Sequence, residues 1–128
     1  MRFLALLVIL ALTATGAARA DDFALIGSQA LAERLEMTDS PLLVLDVRSA
    51  AEFAEGHIPG AVNIPHDALG ERIAELGAVD VKDIVVYCRS GRRSAIALDM
   101  LRKAGFSRLF HLDGDWLRWS EEGRAAAH

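Results

Sequence analysis

The chain is short of the residues that build several common kinds of site. It holds one cysteine, which excludes an intramolecular disulfide framework. That cysteine and the four scattered histidines lack the spacing of zinc ligands, so we expect no metal. Cations are also scarce, since 14 lysines and arginines stand against 18 acidic residues and leave a net charge of -4. Because nucleic-acid binding needs a broad basic surface, we expect no nucleic-acid partner.

The longest uncharged run is too short for an ordinary membrane-spanning helix. It covers residues 3–18, which is 16 residues, whereas about 20 are needed to cross a bilayer. Arg2 precedes the run and Ala18-Arg19-Ala20 follows it, a pattern typical of a secretory signal peptide. We predict a signal peptide over residues 1–20, cut after Ala20, with a membrane anchor as the weaker alternative. A periplasmic or secreted protein without stable membrane insertion is expected.

Residues 21–128 contain no repeat, no low-complexity stretch and no linker, which predicts one domain. Continuous apolar runs at residues 42–45, 84–87 and 109–112 are typical of strands buried on both faces. Helix-like segments separate these runs. The alternation of strand and helix predicts an α/β fold, with a mainly parallel sheet covered by helices on both sides. In such sheets the functional crevice lies at the carboxyl ends of the strands.

Local signals predict where the helices begin and end. Ser49 and Glu52 have the spacing of a capping box, followed by a helix of about two turns that stops at Gly56. Ser28 and Asp67 are predicted caps of two further helices. A longer helix is predicted over residues 93–104, where Gly105 supplies the stop. Its predicted inward residues are Ala97, Met100, Leu101 and Ala104.

The segment that follows the strand at residues 84–87 is the most informative in the chain. It places Cys88 in a tight loop before a helix, where amide donors and the positive end of the helix dipole favour thiolate over thiol. Arg89, Arg92 and Arg93 surround the thiol although the protein is acidic overall. Gly91 permits a turn in which backbone amides converge on an anion. A buried, inert cysteine is the alternative, but it would not require three neighbouring arginines.

The loop Cys88-Arg89-Ser90-Gly91-Arg92-Arg93-Ser94 resembles the active-site loop of the rhodanese-like sulfurtransferases. The resemblance extends over roughly residues 26–122, with the motifs in the expected order. The other segments that carry it are Asp46-Val47-Arg48, Glu52-Phe53, Gly56-His57-Ile58-Pro59-Gly60-Ala61, Asn63-Ile64-Pro65 and Leu112-Asp113-Gly114-Asp115-Trp116. With the predicted signal peptide, the chain is most similar to the periplasmic single-domain type. The resemblance implies a three-layer α/β/α fold with about five strands.

The resemblance also implies a reaction in two steps and no cofactor. Cys88 takes the outer sulfur of a donor such as thiosulfate, releases sulfite and becomes a persulfide. Cyanide, a thiol or a protein acceptor then removes that sulfur. Arg89, Arg92 and Arg93 are expected to bind the anionic donor. The backbone amides of residues 89–93, Ser90 and Gly91 included, are expected to hold the persulfide.

Four other functions remain open. A persulfide carrier that hands its sulfur to a partner would have the same sequence, and rhodanese-like domains also serve as binding modules, although these generally lack the cysteine. Related phosphatases and arsenate reductases have a loop one residue longer, with an arginine six positions after the cysteine, where this chain has Ser94. His57 raises the further alternative of a Cys-His hydrolase, but it lies in a Gly-Pro turn that the resemblance makes structural.

Residues near the loop are assigned supporting roles. Asp46 and Arg48 follow a buried strand, and Arg48 is expected to orient the loop or to pair with Asp46 or Glu52. Asp115 stands where the family commonly has a second glycine, and we interpret it as a solvated loop acid. Trp116 and Trp119 lie three apart on a short predicted helix, a spacing that favours packing over cofactor binding.

Overall fold

The computed structural model describes Gly16, residues 22–37, Asp39 and residues 41–128. The predicted signal peptide and its cut after Ala20 therefore lie outside the described residues, apart from Gly16. Within the described residues, no helix has both the length and the apolar character needed to cross a bilayer.

In the part of the chain that the structure describes, strands and helices alternate. The elements are β1 (Ala24–Ile26), α1 (Ser28–Leu35), β2 (Leu42–Asp46), α2 (Ala50–Glu55), β3 (Val62–Asn63), α3 (Leu69–Arg72), β4 (Asp83–Tyr87), α4 (Arg92–Lys103), β5 (Leu109–Leu112) and α5 (Asp115–Glu121). A 3-10 turn over Ile73–Leu76 continues α3. The three strands predicted from apolar runs are β2, β4 and β5, and the edge strands β1 and β3 complete the sheet.

The five strands form one parallel sheet in the order β1-β5-β4-β2-β3. This confirms the predicted α/β fold. β4 is the middle strand, which explains why its residues 84–87 are apolar on both faces. After β3 the chain returns to the centre of the sheet and then continues to the opposite side, so the order reverses between β2 and β4. A crevice opens at such a reversal, outside the carboxyl ends of the two strands.

Two hydrophobic clusters lie on opposite faces of the sheet. Alternate residues of β4 divide between them: Ile84 and Val86 pack with α4, whereas Val85 and Tyr87 pack with α1 and α5. The sheet therefore lies between two helical layers, as the three-layer prediction requires. Cys88 continues the alternation and belongs to the cluster on the α4 side. The register of β4 thus turns the thiol toward the helix that follows it.

The predicted helix starts are only partly correct. The capping box is confirmed, since Ser49 Oγ accepts from the Glu52 amide and the Glu52 carboxylate accepts from the Ser49 amide. Asp67 is not a cap, because α3 begins after Ala68 and has no side-chain cap. Ser28 is the first residue of α1 instead of its cap, and its hydroxyl donates to Glu122 at 2.5 Å. At Ser28 a tertiary contact replaced the local capping bond.

The inward face of α4 also differs from the prediction in one position. Ala97 and Leu101 are fully buried and Met100 packs against the same cluster, as predicted. Ala104 is exposed because the helix ends at Lys103, and Leu98 fills the core instead. The buried stripe is therefore shifted toward the amino end of α4, which anchors that end directly behind the Cys88 loop.

Candidate active site

Cys88 lies at the floor of the loop that joins β4 to α4. The residue is 1% exposed, and its Sγ accepts a hydrogen bond from the Gly91 amide at 3.0 Å. Gly91 has φ +119, a backbone conformation that glycine adopts far more readily than other residues. The glycine therefore turns its N–H back onto the sulfur. Burial limits access to the thiol to small or slender reactants.

The first turn of α4 adds positive charge to the dipole of the helix. It contains Arg92 and Arg93 and no acidic residue, whereas helix starts usually favour acidic side chains. Arg92 is exposed and Arg93 is half-buried. Because these cations and the helix dipole have the same sign, the potential around the loop is positive and attracts anions.

Arg93 joins the loop to the start of α2. Its guanidinium donates to both carboxylate oxygens of Glu52, at 2.6 and 3.0 Å. This contact lowers the pKa of Glu52 to about 2. The same hydrogen bonds raise the pKa of Arg93, to which the charge of Cys88 also contributes. Glu52, an acid of the capping box, therefore holds Arg93 near the loop and partly neutralises its charge. The prediction that Arg93 binds the donor did not foresee this pairing.

Arg89 and Ser90 are the solvent-exposed residues of the loop that follow Cys88. A cleft of about 470 Å³ opens beside Arg89. It is lined by Arg48, Glu52, Glu55, Gly56, Arg89 and Trp116. Both signs of charge and one indole ring therefore meet next to the loop, at the crevice expected from the strand order.

The backbone of the loop is fastened to α5. The Trp116 amide donates to the Cys88 carbonyl at 3.0 Å, and the Leu117 amide donates to the Arg89 carbonyl at 3.2 Å. These donors are free amides at the start of α5, which have no partner within their own helix. The helix start thus holds the first two residues of the loop in place.

Asp46 and Arg48 form a buried ion pair below the cleft. They are 0% and 3% exposed, and Arg48 Nη2 donates to Asp46 Oδ2 and to the Gly56 carbonyl, both at 2.7 Å. Burial acts to lower the pKa of Arg48, but the hydrogen bonds and charge of Asp46 outweigh it and raise the pKa. The guanidinium also lies over the Trp116 ring, 4.8 Å from its centroid. Of the two predicted partners, Arg48 therefore pairs with Asp46.

Asp115 is not the solvated acid that the sequence led us to expect. It is 1% exposed, and its Oδ1 accepts from the Cys88 amide at 3.0 Å and from Ser94 Oγ at 2.8 Å. Its Oδ2 contacts His111 Nε2 at 2.8 Å. The interpretation failed because the positive φ of +53 at Asp115 turns its side chain under the loop. An acid in place of the family's usual glycine, four residues after a histidine, was the available signal.

The remaining candidates have structural positions. His57 Nδ1 lies 2.8 Å from the Phe53 carbonyl, and its ring stacks on the Phe53 ring. These contacts support the structural interpretation of the Gly-Pro turn. Trp119 is 1% exposed and packs in the core, whereas Trp116 is half-buried at the rim of the cleft. The packing roles predicted for the two indoles are confirmed.

Across the described ranges, no group of three or more histidine, cysteine and acidic side chains could hold a metal ion.

Ser94, six positions after Cys88, is fully buried and its hydroxyl is bound to Asp115. An arginine at that position, as in the longer phosphatase loop, would have no open space to project into. The loop is thus of the short type.

Fold and loop together define an α/β protein with a buried cysteine at the carboxyl end of the central parallel strand, directly before a helix start that carries two arginines. A scan against family models identifies residues 28–122 as a rhodanese-like domain. The chain belongs to this family.

Relatives with known names and structures agree with that membership. The chain is 39% identical over 98 residues to a sulfurtransferase of Allochromatium vinosum, covering 77% of this chain and 89% of that one. A rhodanese-related protein of Thermoplasma volcanium superposes with a TM-score of 0.70 at 30% identity, covering 82% and 98% of the two chains. Thiosulfate sulfurtransferase of Pseudomonas aeruginosa superposes with a TM-score of 0.71 at 26% identity, covering 82% of this chain and 19% of that one. Sulfur transfer is the general chemistry that the membership supports.

Proposed function

We propose that the protein is a thiosulfate sulfurtransferase that works through a persulfide on Cys88. The observation that carries this proposal is the position of the thiol. It accepts a backbone hydrogen bond from Gly91 and stands before a helix start that contains two arginines and no acid. A site of this kind stabilises a sulfur anion, and it does so equally for a thiolate and for the persulfide that replaces it.

In the first step the Cys88 thiolate attacks the outer sulfur of thiosulfate. A new bond forms between Sγ and that sulfur, and the bond between the two sulfurs of thiosulfate breaks. The electron pair of the broken bond leaves with sulfite, a dianion, so the enzyme keeps one negative charge on the persulfide. The step starts from the Cys88 thiolate, so it includes no general base.

In the second step an acceptor removes the outer sulfur. Cyanide attacks it, the bond to Sγ breaks, and thiocyanate and the Cys88 thiolate are formed. A thiol that reacts as a thiolate would leave as a persulfide in the same way. The low exposure of Cys88 favours acceptors with a slender reactive end, and the cleft beside Arg89 adjoins the loop that holds the thiol.

Exposed cations recruit the donor. Arg89 and Arg92 are both exposed beside the thiol, whereas Arg93 is already bound to Glu52. We assign attraction of the thiosulfate dianion chiefly to Arg89 and Arg92. The charge of Arg93 interacts with that of Cys88, so Arg93 stabilises negative charge on the Cys88 sulfur electrostatically.

The experiment that tests this proposal is mass measurement of the protein after incubation with thiosulfate. We expect a gain of one sulfur atom, release of sulfite, and return to the original mass with thiocyanate formation when cyanide is added. Sulfur that is gained but not released to cyanide would instead indicate a carrier. No gain of sulfur would contradict the proposal and favour a binding module.

Cys88→Ser is the matched control, because a hydroxyl replaces the thiol with little change in volume. We expect its fold to stay intact, and we expect it to gain no sulfur and to produce no thiocyanate. Normal turnover by this variant would exclude Cys88 as the sulfur carrier. Incubation with phosphate esters and arsenate tests the alternative oxyanion chemistry, for which we expect no turnover.

We also propose that the protein is exported and cut after Ala20, on the basis of the residue pattern in residues 1–20. Expression of the full chain in a Gram-negative host, followed by mass measurement of the periplasmic protein, tests this. A periplasmic product that begins at Asp21 is expected. Retention of residues 1–20, or recovery in the membrane fraction, would contradict the proposal.

A further inference from the structure

We propose that Asp115 is a positioning residue for sulfur transfer, acting by holding both ends of the Cys88 loop through one carboxylate. The inference rests on the proposed function of Cys88 as the sulfur nucleophile. It concerns a residue at which this chain departs from the glycine common in the family.

The two ends of the loop meet at one oxygen atom of Asp115. Cys88 is the first residue of the loop and follows β4, whereas Ser94 lies in the first turn of α4. The Cys88 amide and the Ser94 hydroxyl both donate to Asp115 Oδ1, at 3.0 and 2.8 Å. Because both donors share one acceptor, neither end of the loop can shift without losing a buried hydrogen bond.

His111 fixes the orientation of that acceptor. Its ring lies on β5, is buried, and places Nε2 at 2.8 Å from Asp115 Oδ2. A carboxylate accepts at this contact, so Nε2 carries the proton. The carboxylate is thus bound at both oxygens and cannot rotate about its last torsion, which keeps Oδ1 aimed at the loop.

Asp115 has a backbone conformation that favours glycine, so its side chain needs a reason to be there. Asp115 has φ +53, where glycine has no steric penalty and other residues do. A glycine would satisfy the backbone without supplying the three polar contacts. The carboxylate therefore replaces a conformationally easier residue with one that ties β4, β5 and α4 together below the thiol.

Fixing the ends of the loop fixes what lies between them. The hydrogen bond from the Gly91 amide to Cys88 Sγ, at 3.0 Å, depends on the path of the five intervening residues. The charge that develops on the outer sulfur is stabilised only while such donors keep their places. A displacement of about 1 Å at a reacting centre lowers a rate by about 100-fold.

The test is the rate at which thiosulfate loads sulfur onto Cys88 in a single turnover. Asp115→Gly removes the carboxylate and suits the backbone at that position, so we expect it to fold. Its maximal loading rate should fall by about 10- to 100-fold. The thiosulfate concentration for half-maximal rate should change by less than about 3-fold, since the exposed arginines that attract the donor are untouched.

Two further variants separate positioning from bulk stability. Asp115→Asn keeps an oxygen that can accept from Cys88 and Ser94. Its amide can donate to His111 once the imidazole proton moves to Nδ1, which is buried and has no partner among the described residues. The variant should therefore lose stability but retain the loading rate within about 3-fold. Asp80→Gly is the matched control. Asp80 also has a positive φ, and its carboxylate also accepts from a serine hydroxyl and backbone amides, but it precedes β4 at the end remote from Cys88. Asp80→Gly should leave the loading rate unchanged.

Ser94→Ala supplies a coupling test. If both residues act through the same contact, the double variant Ser94→Ala with Asp115→Gly should load no more slowly than Asp115→Gly alone. Additive losses would overturn the shared-acceptor account. Amide exchange measured by NMR gives a readout independent of any donor, and the Cys88 amide should lose protection in Asp115→Gly and keep it in Asp80→Gly.

The possible failures are distinguishable. Wild-type protein that gains no sulfur overturns the proposed function, whereas the exchange of the Cys88 amide still tests the contact with Asp115. Wild-type protein that loads sulfur no faster than Asp115→Gly overturns the positioning role alone. An Asp115→Asn variant as slow as Asp115→Gly would overturn the role of the hydrogen bonds that Oδ1 accepts.

Discussion

Arg93 donates to both carboxylate oxygens of Glu52, although the two residues are 41 positions apart in the chain. Glu52 completes the capping box of α2, and Arg93 lies in the first turn of α4 beside Cys88. One carboxylate therefore links a local folding signal to the charge around the thiol.

The Glu52–Arg93 pair should stabilise the fold at neutral pH and not in acid. The pKa of Glu52 is lowered from 4.5 to about 2 in the folded protein, chiefly by the hydrogen bond from Arg93. The stabilisation is therefore complete above the unfolded pKa and is lost as the pH falls through the folded one. Urea unfolding should make Glu52→Gln less stable than wild type by about 1 kcal/mol at neutral pH, because the pair is partly exposed.

The difference between the two proteins should shrink steadily below pH 4.5. Glutamine can retain the capping-box contact, so the variant isolates the ion pair from the cap. A difference that stays constant or grows in acid would contradict the assignment of the pKa shift to Arg93.

Arg92→Ala should weaken the use of thiosulfate through charge alone. The exposed guanidinium attracts the donor from solution, so we expect the half-saturating thiosulfate concentration to rise by about 3- to 10-fold at low salt. The effect should fade near 1 M salt, where the screening length is about 3 Å. Steady-state kinetics over a salt series measures it.

The control for this prediction is Arg102→Ala, in the last turn of the same helix and paired with Asp99. It removes an equal charge from the end of α4 remote from the thiol and should leave the kinetics unchanged. Equal effects of the two variants would mean that only net charge matters.

Gly91→Ala should damage both the fold and the reaction. A φ of +119 is strained for alanine, and such strain costs about 1–3 kcal/mol. Relief of the strain would turn the residue-91 amide away from Cys88 Sγ, so we expect the loading rate to fall by at least about 10-fold. Thermal unfolding and single-turnover loading measure the two effects.

Gly27→Ala is the comparison for Gly91→Ala. Gly27 has φ -71, and nothing lies within 4 Å of an added methyl group. Because Gly27 is the cap residue of α1, where alanine is less favourable than glycine, we expect a loss of stability below about 1 kcal/mol and no change in rate. A Gly91→Ala protein that loads sulfur at the wild-type rate would remove the Gly91 amide from the mechanism.

Arg48→Ala should destabilise the protein strongly, because it leaves Asp46 charged and buried without its partner. Breaking a buried pair in this way costs about 3–5 kcal/mol. The double variant Asp46→Asn with Arg48→Met should recover much of the loss, since no unpaired charge remains. Denaturant unfolding provides the free energies.

Arg72→Ala serves as the exposed counterpart, because Arg72 pairs with Glu75 at the surface. Its effect should be within about 0.5 kcal/mol. Similar losses in the free energy of unfolding for Arg48→Ala and Arg72→Ala would show that burial gives the Asp46–Arg48 pair no special importance for stability.

The features that sequence analysis predicted correctly depend on short stretches of chain. The apolar runs of β2, β4 and β5, the capping box at Ser49 and the loop that starts at Cys88 all follow from neighbouring residues. The cap predicted at Asp67 was wrong because α3 starts one residue later than the local pattern indicates. The helix start at Ser28 was likewise misplaced, since that hydroxyl bonds to Glu122, 94 residues away.

The sequence by itself determined an α/β chain with a cysteine at the end of its central strand, flanked by arginines at a helix start. Periodicity, turn residues and helix signals act within a few positions, so they can be recognised without the fold. Only the tertiary structure decided which charges are free and which are bound: Arg93 to Glu52, Arg48 to Asp46, and Asp115 to Cys88, Ser94 and His111. Most of these contacts join residues more than 20 positions apart, and the packing of strands and helices, which no local pattern specifies, brings them together.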